Sequence, residues 1–324
     1  MGRHKDVPTE EDHGTRRELV ERAIRFRSPE RAPVWFFNRD QLLGDILAYG
    51  LSLEEGNRNE WGYEWVRLGD GTMGQPGEPV LPGWDDLATF GVPFLRRAER
   101  IKGMADFRKI VDDRYRLASL GISGFTTYTF LRGFENSMVD FALERKKALG
   151  LLDRIIAFEC SLIRLAAAQG FHGVHLADDW GTQHGLMIEP ALWRRVFRPR
   201  YARQCALAHR LGMHLWFHCC GNIGEIVGDL HAIGVDVINL SQPNVIDLDA
   251  VGARWRGKQC FMVPISYQTV SIRGTPEEIH AEGQRLMKLL GTAAGGFIGY
   301  VEEYSSMGMS EQNYQACARA FGVP

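Results

Sequence analysis

From residue 94 onward the chain alternates between stretches of helical period and short apolar runs, and this alternation restricts its fold more than any other feature. The pattern predicts a helix around 94–110, a strand around 123–129, helices around 136–168 and a strand over Val174-His175-Leu176-Ala177. It then predicts a helix over 190–211, a strand over 213–217, a helix over 223–233, strands over 235–240 and 260–264, a helix over 276–290 and a last strand from Phe297 to Val301. Strands separated by crossover helices pair in parallel. Upstream, Ala32-Pro33 forces an extended backbone ahead of the apolar run Val34-Trp35-Phe36-Phe37, which adds a first strand. About eight candidate strands over this length fit a closed (β/α)8 TIM barrel better than an open doubly wound sheet. No Gly-x-Gly-x-x-Gly or Gly-x-x-x-x-Gly-Lys-Ser/Thr turn follows the first strand, which argues against a nucleotide-binding sheet.

Residues 1–15 read as a polar, mobile arm, and 16–324 as a single barrel domain that opens with an N-terminal helix carrying Leu19, Ala23 and Ile24. Between them and the alternating region lies an insertion around 57–110, rich in Trp, Gly and Pro up to Val92, which suits a loop or hairpin forming part of a substrate lid. The 324 residues carry 38 Lys+Arg against 40 Asp+Glu, so no cationic surplus exists for phosphate neutralisation, and a nucleic-acid partner is not expected. The charged N-terminus lacks the apolar core of a secretory signal, and no apolar run reaches bilayer length, so a cytoplasmic location without a membrane partner is expected. Six cysteines in a reducing compartment favour free thiols or a metal site over disulfides.

In parallel α/β folds the working residues gather where strands end. Here those positions read Asn38-Arg39-Asp40, Asp178-Asp179-Trp180-Gly181-Thr182-Gln183, His218-Cys219-Cys220-Gly221, Ser241-Gln242-Pro243, Ser266-Tyr267-Gln268 and Glu302-Glu303-Tyr304. Side chains alternate along a strand, so Met213, Leu215 and Phe217 share the helix-facing side, while His214, Trp216, His218 and Cys220 share the other. Parity likewise turns Asp179 toward the mouth. An imidazole and a thiol projecting together suit a borderline-soft ion such as zinc, although the same pair also fits a hydrogen-bonded core histidine beside a buried thiol.

Phe217-His218-Cys219-Cys220-Gly221-Asn222, followed by Gly234-Val235-Asp236-Val237-Ile238-Asn239 and Gln242-Pro243, resembles the uroporphyrinogen decarboxylase superfamily, in particular its cobamide-dependent methyltransferase branch. The resemblance extends back through Asp178 to Gln183, Pro190-x-x-Trp193 and Arg16 to Pro33, and forward through Gly274 to Glu278. It implies a TIM barrel with the active site in its mouth, and a zinc ion bound by a His-x-Cys pair plus a later cysteine. His218 and Cys220 match the pair; the later position falls on Glu303, with its neighbour Glu302 as the alternative, so a carboxylate replaces the second cysteine. Cys317 reads as a packed thiol. The Arg-Gln-Ala-Gly-Arg-Tyr motif of the true decarboxylases is missing; Arg39 alone remains at the corresponding strand end, which argues against a multiply anionic tetrapyrrole substrate. Asp229-x-His231-x-x-Gly234 matches a short cobalt-ligand pattern but falls within a crossover helix, so any corrinoid is expected on a partner protein.

These features lead to a zinc-dependent methyltransferase that moves a methyl group between a small O-, N- or S-methylated compound and a corrinoid protein or thiol. His218, Cys220 and Glu303 are the expected metal ligands, Asp179 and Gln183 the expected catalytic groups, and Arg39, Trp180, Gln242, Gln268 and Tyr304 the expected substrate contacts. Two other classes stay open: a metal-independent decarboxylase resting on Asp179 and Arg39, and a non-catalytic corrinoid or metal carrier. The sequence leaves open whether the chain pairs as a homodimer.

Overall fold

The computed structural model describes residues 14–66, 74–110 and 112–323. The expected mobile arm falls almost wholly outside these residues. Thr15 and Glu18 form a reciprocal capping box that starts helix α1 (Arg16–Ile24), whose Val20 and Ile24 plug the lower end of the barrel.

Eight strands form one parallel sheet: β1 (Val34–Phe36), β2 (Ile46–Gly50), β3 (Tyr115–Ile122), β4 (Gly173–Ala177), β5 (His214–Cys219), β6 (Val237–Leu240), β7 (Cys260–Pro264) and β8 (Phe297–Val301). Their spatial order is β1-β8-β7-β6-β5-β4-β3-β2, a nearly closed (β/α)8 barrel. At the seam between β1 and β2 the Asp45 amide donates to the Val34 carbonyl, and the Asp45 carboxylate accepts from the Val34 amide and the Arg31 guanidinium. One buried carboxylate thus ties the two end strands together.

Alternation along each strand sorts the core into two compartments. Trp35, Tyr115, Trp216, Met262 and Tyr300 fill the barrel interior, while Leu215, Phe217, Ile238 and Val263 pack outward under the helices. The parity expected for β5 is the parity observed: Trp216 points inward and Cys219 outward.

The structure corrects four element assignments. The segment expected as a strand around 123–129 is helix α3 (Gly124–Arg132), and the strand precedes it as β3. The strand Ile46–Gly50 had no counterpart in the sequence pattern. The helix expected over 190–211 is two helices, Pro190–Val196 and Arg198–Arg210, broken at Phe197 just before Pro199. The helix expected over 223–233 is a 3-10 turn at Gly224–Ile226 leading into Val227–Ala232.

The insertion lies between β2 and β3. It holds two short antiparallel ladders, Glu54–Glu55 with Arg58–Asn59 and Trp65–Val66 with Gln75–Pro76, then a 3-10 turn and helix α2 (Ala98–Arg108). Arg100 anchors it: fully buried, its guanidinium pairs with the Glu60 carboxylate and donates to the Leu51 and Leu95 carbonyls. Among the described residues no helix is long and apolar enough to cross a membrane.

Candidate active site

Two loops that cross at the top of the barrel create the site. After β4 and β5 the chains run side by side, joined by Asp178 N–H to the His218 carbonyl, Gly181 N–H to the Cys220 carbonyl and Asn222 N–H to the Thr182 carbonyl. Gly181 and Gly221 meet backbone to backbone, so a Cβ on either would collide with the other's main chain; Gly221 also has φ +74°. This contact sets Asp179 beside the end of β5.

Asp179 Oδ1 accepts from the Cys220 amide at 2.7 Å and lies 3.8 Å from His218 Nε2. Cys220 Sγ is 3.6 Å from the same nitrogen. The three donor atoms lie within 4.8 Å of one another. His218 is oriented from behind: Asn239 donates Nδ2–H to the Met262 carbonyl at 2.9 Å, which leaves Asn239 Oδ1 to accept from His218 Nδ1 at 2.5 Å. Nδ1 therefore carries the proton, and the Nε2 lone pair faces Asp179 and Cys220. Burial, and next the Asp179 charge, push the Cys220 thiol well above its ordinary value, so it keeps its proton unless a cation sits beside it.

The cluster forms one wall of a cavity of about 380 Å³. Tyr267, Glu302 and Tyr304 rise from the later strands, and Glu54, Tyr63 and Trp65 reach in from the insertion. Glu302 Oε2 accepts from the Tyr300 and Tyr304 hydroxyls at 2.8 Å each. Burial raises both phenols far above their usual value, so they remain donors. His175 closes the floor; its Nδ1 meets Ser119 Oγ at 3.3 Å, its buried Nε2 has no partner among the described residues, and burial lowers its pKa to about 3. Three carboxylates line this cavity, Glu54, Asp179 and Glu302, and no Lys or Arg does among the described residues.

The expected site residues divide. His218, Cys220, Asp179 and Tyr304 come together in the cavity. Glu303 does not: its carboxylate turns back to accept the Ser305 amide at 2.6 Å, while the next residue toward the barrel, Glu302, faces in. The third group of the candidate metal cluster is Asp179, from the end of the fourth strand and not the eighth. Arg39 lies outside, bonded to Glu311 and stacked over Tyr314. Trp180 is fully buried between Phe125 and Phe197, each ring centroid 4.4 Å away. Gln183 is exposed in the loop after β4, and Gln268 accepts from Asn244 at 2.9 Å beyond the lining. Gln242 also stays behind the wall, where it accepts the Gly221 amide at 2.8 Å and donates to the Tyr267 hydroxyl at 2.5 Å; it holds two site elements in place. His231 packs on Trp255 and meets Gln259 at 3.0 Å, within its crossover helix, and Cys317 is a packed thiol. Of the two closing-strand glutamates, Glu302, the alternative to Glu303, is the one that lines the cavity, and His175 and the insertion's Glu54, Tyr63 and Trp65 are lining residues that sequence reasoning did not single out. Parity already aimed His175 inward, the side opposite Val174 and Leu176.

Residues 71–316 match the uroporphyrinogen decarboxylase (URO-D) family. The chain belongs to that family. Among solved structures, a methyltransferase from Methanosarcina mazei superposes with TM-score 0.71 at 13% identity, covering 94% of this chain and 98% of that one. A glycosylated endo-beta-1,4-xylanase from Gloeophyllum trabeum aligns with TM-score 0.41 at 11% identity, covering 68% of this chain and 80% of that one. A search of the curated proteins finds no match. The first likeness covers nearly the whole barrel of this URO-D family member, and what it shows is the shared fold.

Proposed function

We propose that this URO-D family protein is a zinc-dependent methyltransferase acting between a small methylated compound and a corrinoid protein or thiol. The observation that carries the reading is the convergence of His218 Nε2, Cys220 Sγ and Asp179 Oδ1 within 4.8 Å, with the imidazole tautomer set by Asn239. One nitrogen, one sulfur and one carboxylate oxygen form a set that zinc accepts, and three protein ligands leave a position for substrate. The fold likeness to a methyltransferase supports the same reading. His218, Cys220 and Asp179 would hold the metal, and Glu302 is the closing-strand carboxylate that faces them.

When bound, zinc supplies a Lewis acid that stabilises negative charge on a thiol sulfur or on the heteroatom that loses its methyl group. The chain's own residues do the rest. Asn239 and Met262 hold the imidazole in the productive orientation, so no reorganisation is needed on binding. The Tyr300 and Tyr304 hydroxyls fix the Glu302 carboxylate at the wall, and the rings of Tyr63, Trp65 and Tyr267 keep bulk water from the reacting centre.

The decarboxylase alternative needs a cation for the substrate carboxylate; Arg39 is engaged with Glu311 away from the cavity, so no observation favours that reading.

Metal analysis of protein purified without added zinc should find near one equivalent, with most of it lost in His218→Ala and Cys220→Ser. Methylcobalamin with a simple thiol should be demethylated by the unmutated protein and not by these variants. A metal-free protein that still turned over would overturn the proposal, and tight zinc without any turnover would favour the carrier reading.

A further inference from the structure

A divalent ion at the cluster would be neutralised by the Asp179 carboxylate and a Cys220 thiolate, since two single negative charges balance two positive ones. Glu302, half-buried, and Glu54, exposed to solvent, then remain as the other two carboxylates of a cavity that no Lys or Arg lines among the described residues. Both are held by the aromatic wall itself: Glu54 Oε1 accepts from the Trp65 indole at 2.9 Å, and Glu302 Oε2 accepts from two tyrosine hydroxyls. The rings of Tyr267 and Tyr304, which also line the cavity, lie 4.8 Å apart. Electron-rich ring faces with negative charge fixed beside them attract a cation whose own hydration is weak, as an alkylated ammonium's is. An anionic substrate meets repulsion here, and a neutral one leaves the half-buried Glu302 carboxylate without a counter-charge.

We propose that the cavity recognises a small organic cation, a methylated ammonium compound, with its onium group against the Tyr267, Tyr304 and Trp65 rings and between Glu54 and Glu302. This rests on the cavity being the substrate site of the methyltransferase reading, and it names the class of substrate admitted there. The cavity of about 380 Å³ takes a free small molecule. The candidate metal cluster lies at the ends of the fourth and fifth strands, in the same cavity as Glu302 and Tyr267.

Calorimetric titration of the protein as purified separates the alternatives without any need for turnover, using tetramethylammonium and choline, the uncharged choline isostere 3,3-dimethylbutanol, and propanesulfonate. The cations should bind at least about tenfold more tightly than the isostere, and propanesulfonate should not bind. Glu302→Gln, near-isosteric and still able to accept from both tyrosines, should weaken choline at least about fivefold and leave 3,3-dimethylbutanol unchanged. Equal affinity for choline and its isostere, binding of propanesulfonate, absence of cation binding, or an unaltered choline affinity in Glu302→Gln would each overturn the proposal. Zinc content measured on the same samples keeps the two readings apart: failure of cation binding in a zinc-loaded protein removes the substrate class alone, and Glu302-dependent cation binding in a zinc-free protein removes the metal reading alone.

Discussion

The orientation of His218 depends on a residue that touches no substrate. Asn239 is fully buried, and its amide is committed to the Met262 carbonyl through Nδ2, so its oxygen is the acceptor that sets the His218 tautomer. Removing that oxygen frees the imidazole to rotate and to present a protonated nitrogen to the metal. Asn239→Ala is therefore expected to weaken zinc roughly 10- to 100-fold, measured by competition with a chromophoric chelator, while Asn239→Asp, which keeps an acceptor oxygen, restores much of the affinity. An unchanged affinity in the alanine variant would show that the ring is held by other means. The sequence made His218 and Cys220 legible, because a period of two along one strand needs no tertiary information. Asn239 lay within a quoted motif, but its role follows from the lateral register of β5 on β6, which pairs Asn239 with His218, and register is not written in either strand alone. The displacement of the expected carboxylate from Glu303 has a similar origin: at a strand's end the alternation stops, and the backbone turn at Asn38 and Ser305 decides which of two adjacent glutamates looks inward.

Helix α3 shows how tertiary contacts override a local pattern. Phe125-Thr126-Thr127-Tyr128-Thr129 is β-branched and aromatic, which is strand composition, yet its start is claimed by two buried carboxylates. Asp178 accepts from the Phe125 and Thr126 amides, the Thr126 hydroxyl and the Tyr201 hydroxyl, and Glu159 accepts from the Gly124 amide. These bonds satisfy the unpaired donors of a helix N-terminus, and the residues that make them come from β4's end and from the long helix Arg145–Ala168, far along the chain. Burial raises the Asp178 carboxyl to about 7 and the Glu159 carboxyl to about 8, the latter with a further contribution from Asp178. A carboxyl whose pKa is raised in the folded state contributes most when protonated; that contribution is complete below about pH 4 and is lost as pH rises toward the folded value. Stability should accordingly decline from about pH 4 to about pH 8. In Glu159→Gln the group cannot ionise, and a flip of the Gln204 amide, which in the unmutated protein donates Nε2–H to Glu159 Oε2, lets its otherwise unpartnered Oε1 accept from the new amide. Denaturant titration should find this variant close to the unmutated protein at pH 5 and more stable at pH 8 by at least about 1 kcal/mol. The same small difference at both pH values would mean that Glu159 is ionised throughout.

Two structural sources meet at the cavity, and they differ in how they are secured. The candidate metal cluster belongs to the barrel: β4 and β5 are paired residue by residue from Gly173 with His214 to Ala177 with His218, and their loops are zipped by the Gly181–Gly221 contact. Part of the remaining wall belongs to the insertion, whose secondary structure among the described residues amounts to two-residue ladders, a 3-10 turn and one helix, so its shape comes from buried polar anchors and packed rings and not from a continuous sheet. The Arg100–Glu60 pair is the deepest of these, with both side chains almost without exposure. Arg132 adds a second anchor, pairing with Asp140, stacking over Trp84 and donating to the Gly83 carbonyl at 2.9 Å. Composition pointed to an insertion around 57–110, but ion pairs joining residues 40 apart leave no periodic trace to read. Arg100→Ala strands the Glu60 carboxylate in the interior, a loss worth about 3–5 kcal/mol that falls on the segment Arg100 anchors. The expected outcome is local: faster proteolytic cleavage between residues 51 and 97, choline affinity reduced at least about tenfold through loss of the Trp65 and Glu54 wall, and zinc stoichiometry near that of the unmutated protein. If zinc is lost along with the organic cation, the cluster depends on the insertion after all, and the division of the site between a rigid metal-bearing barrel and a separately anchored substrate wall is wrong.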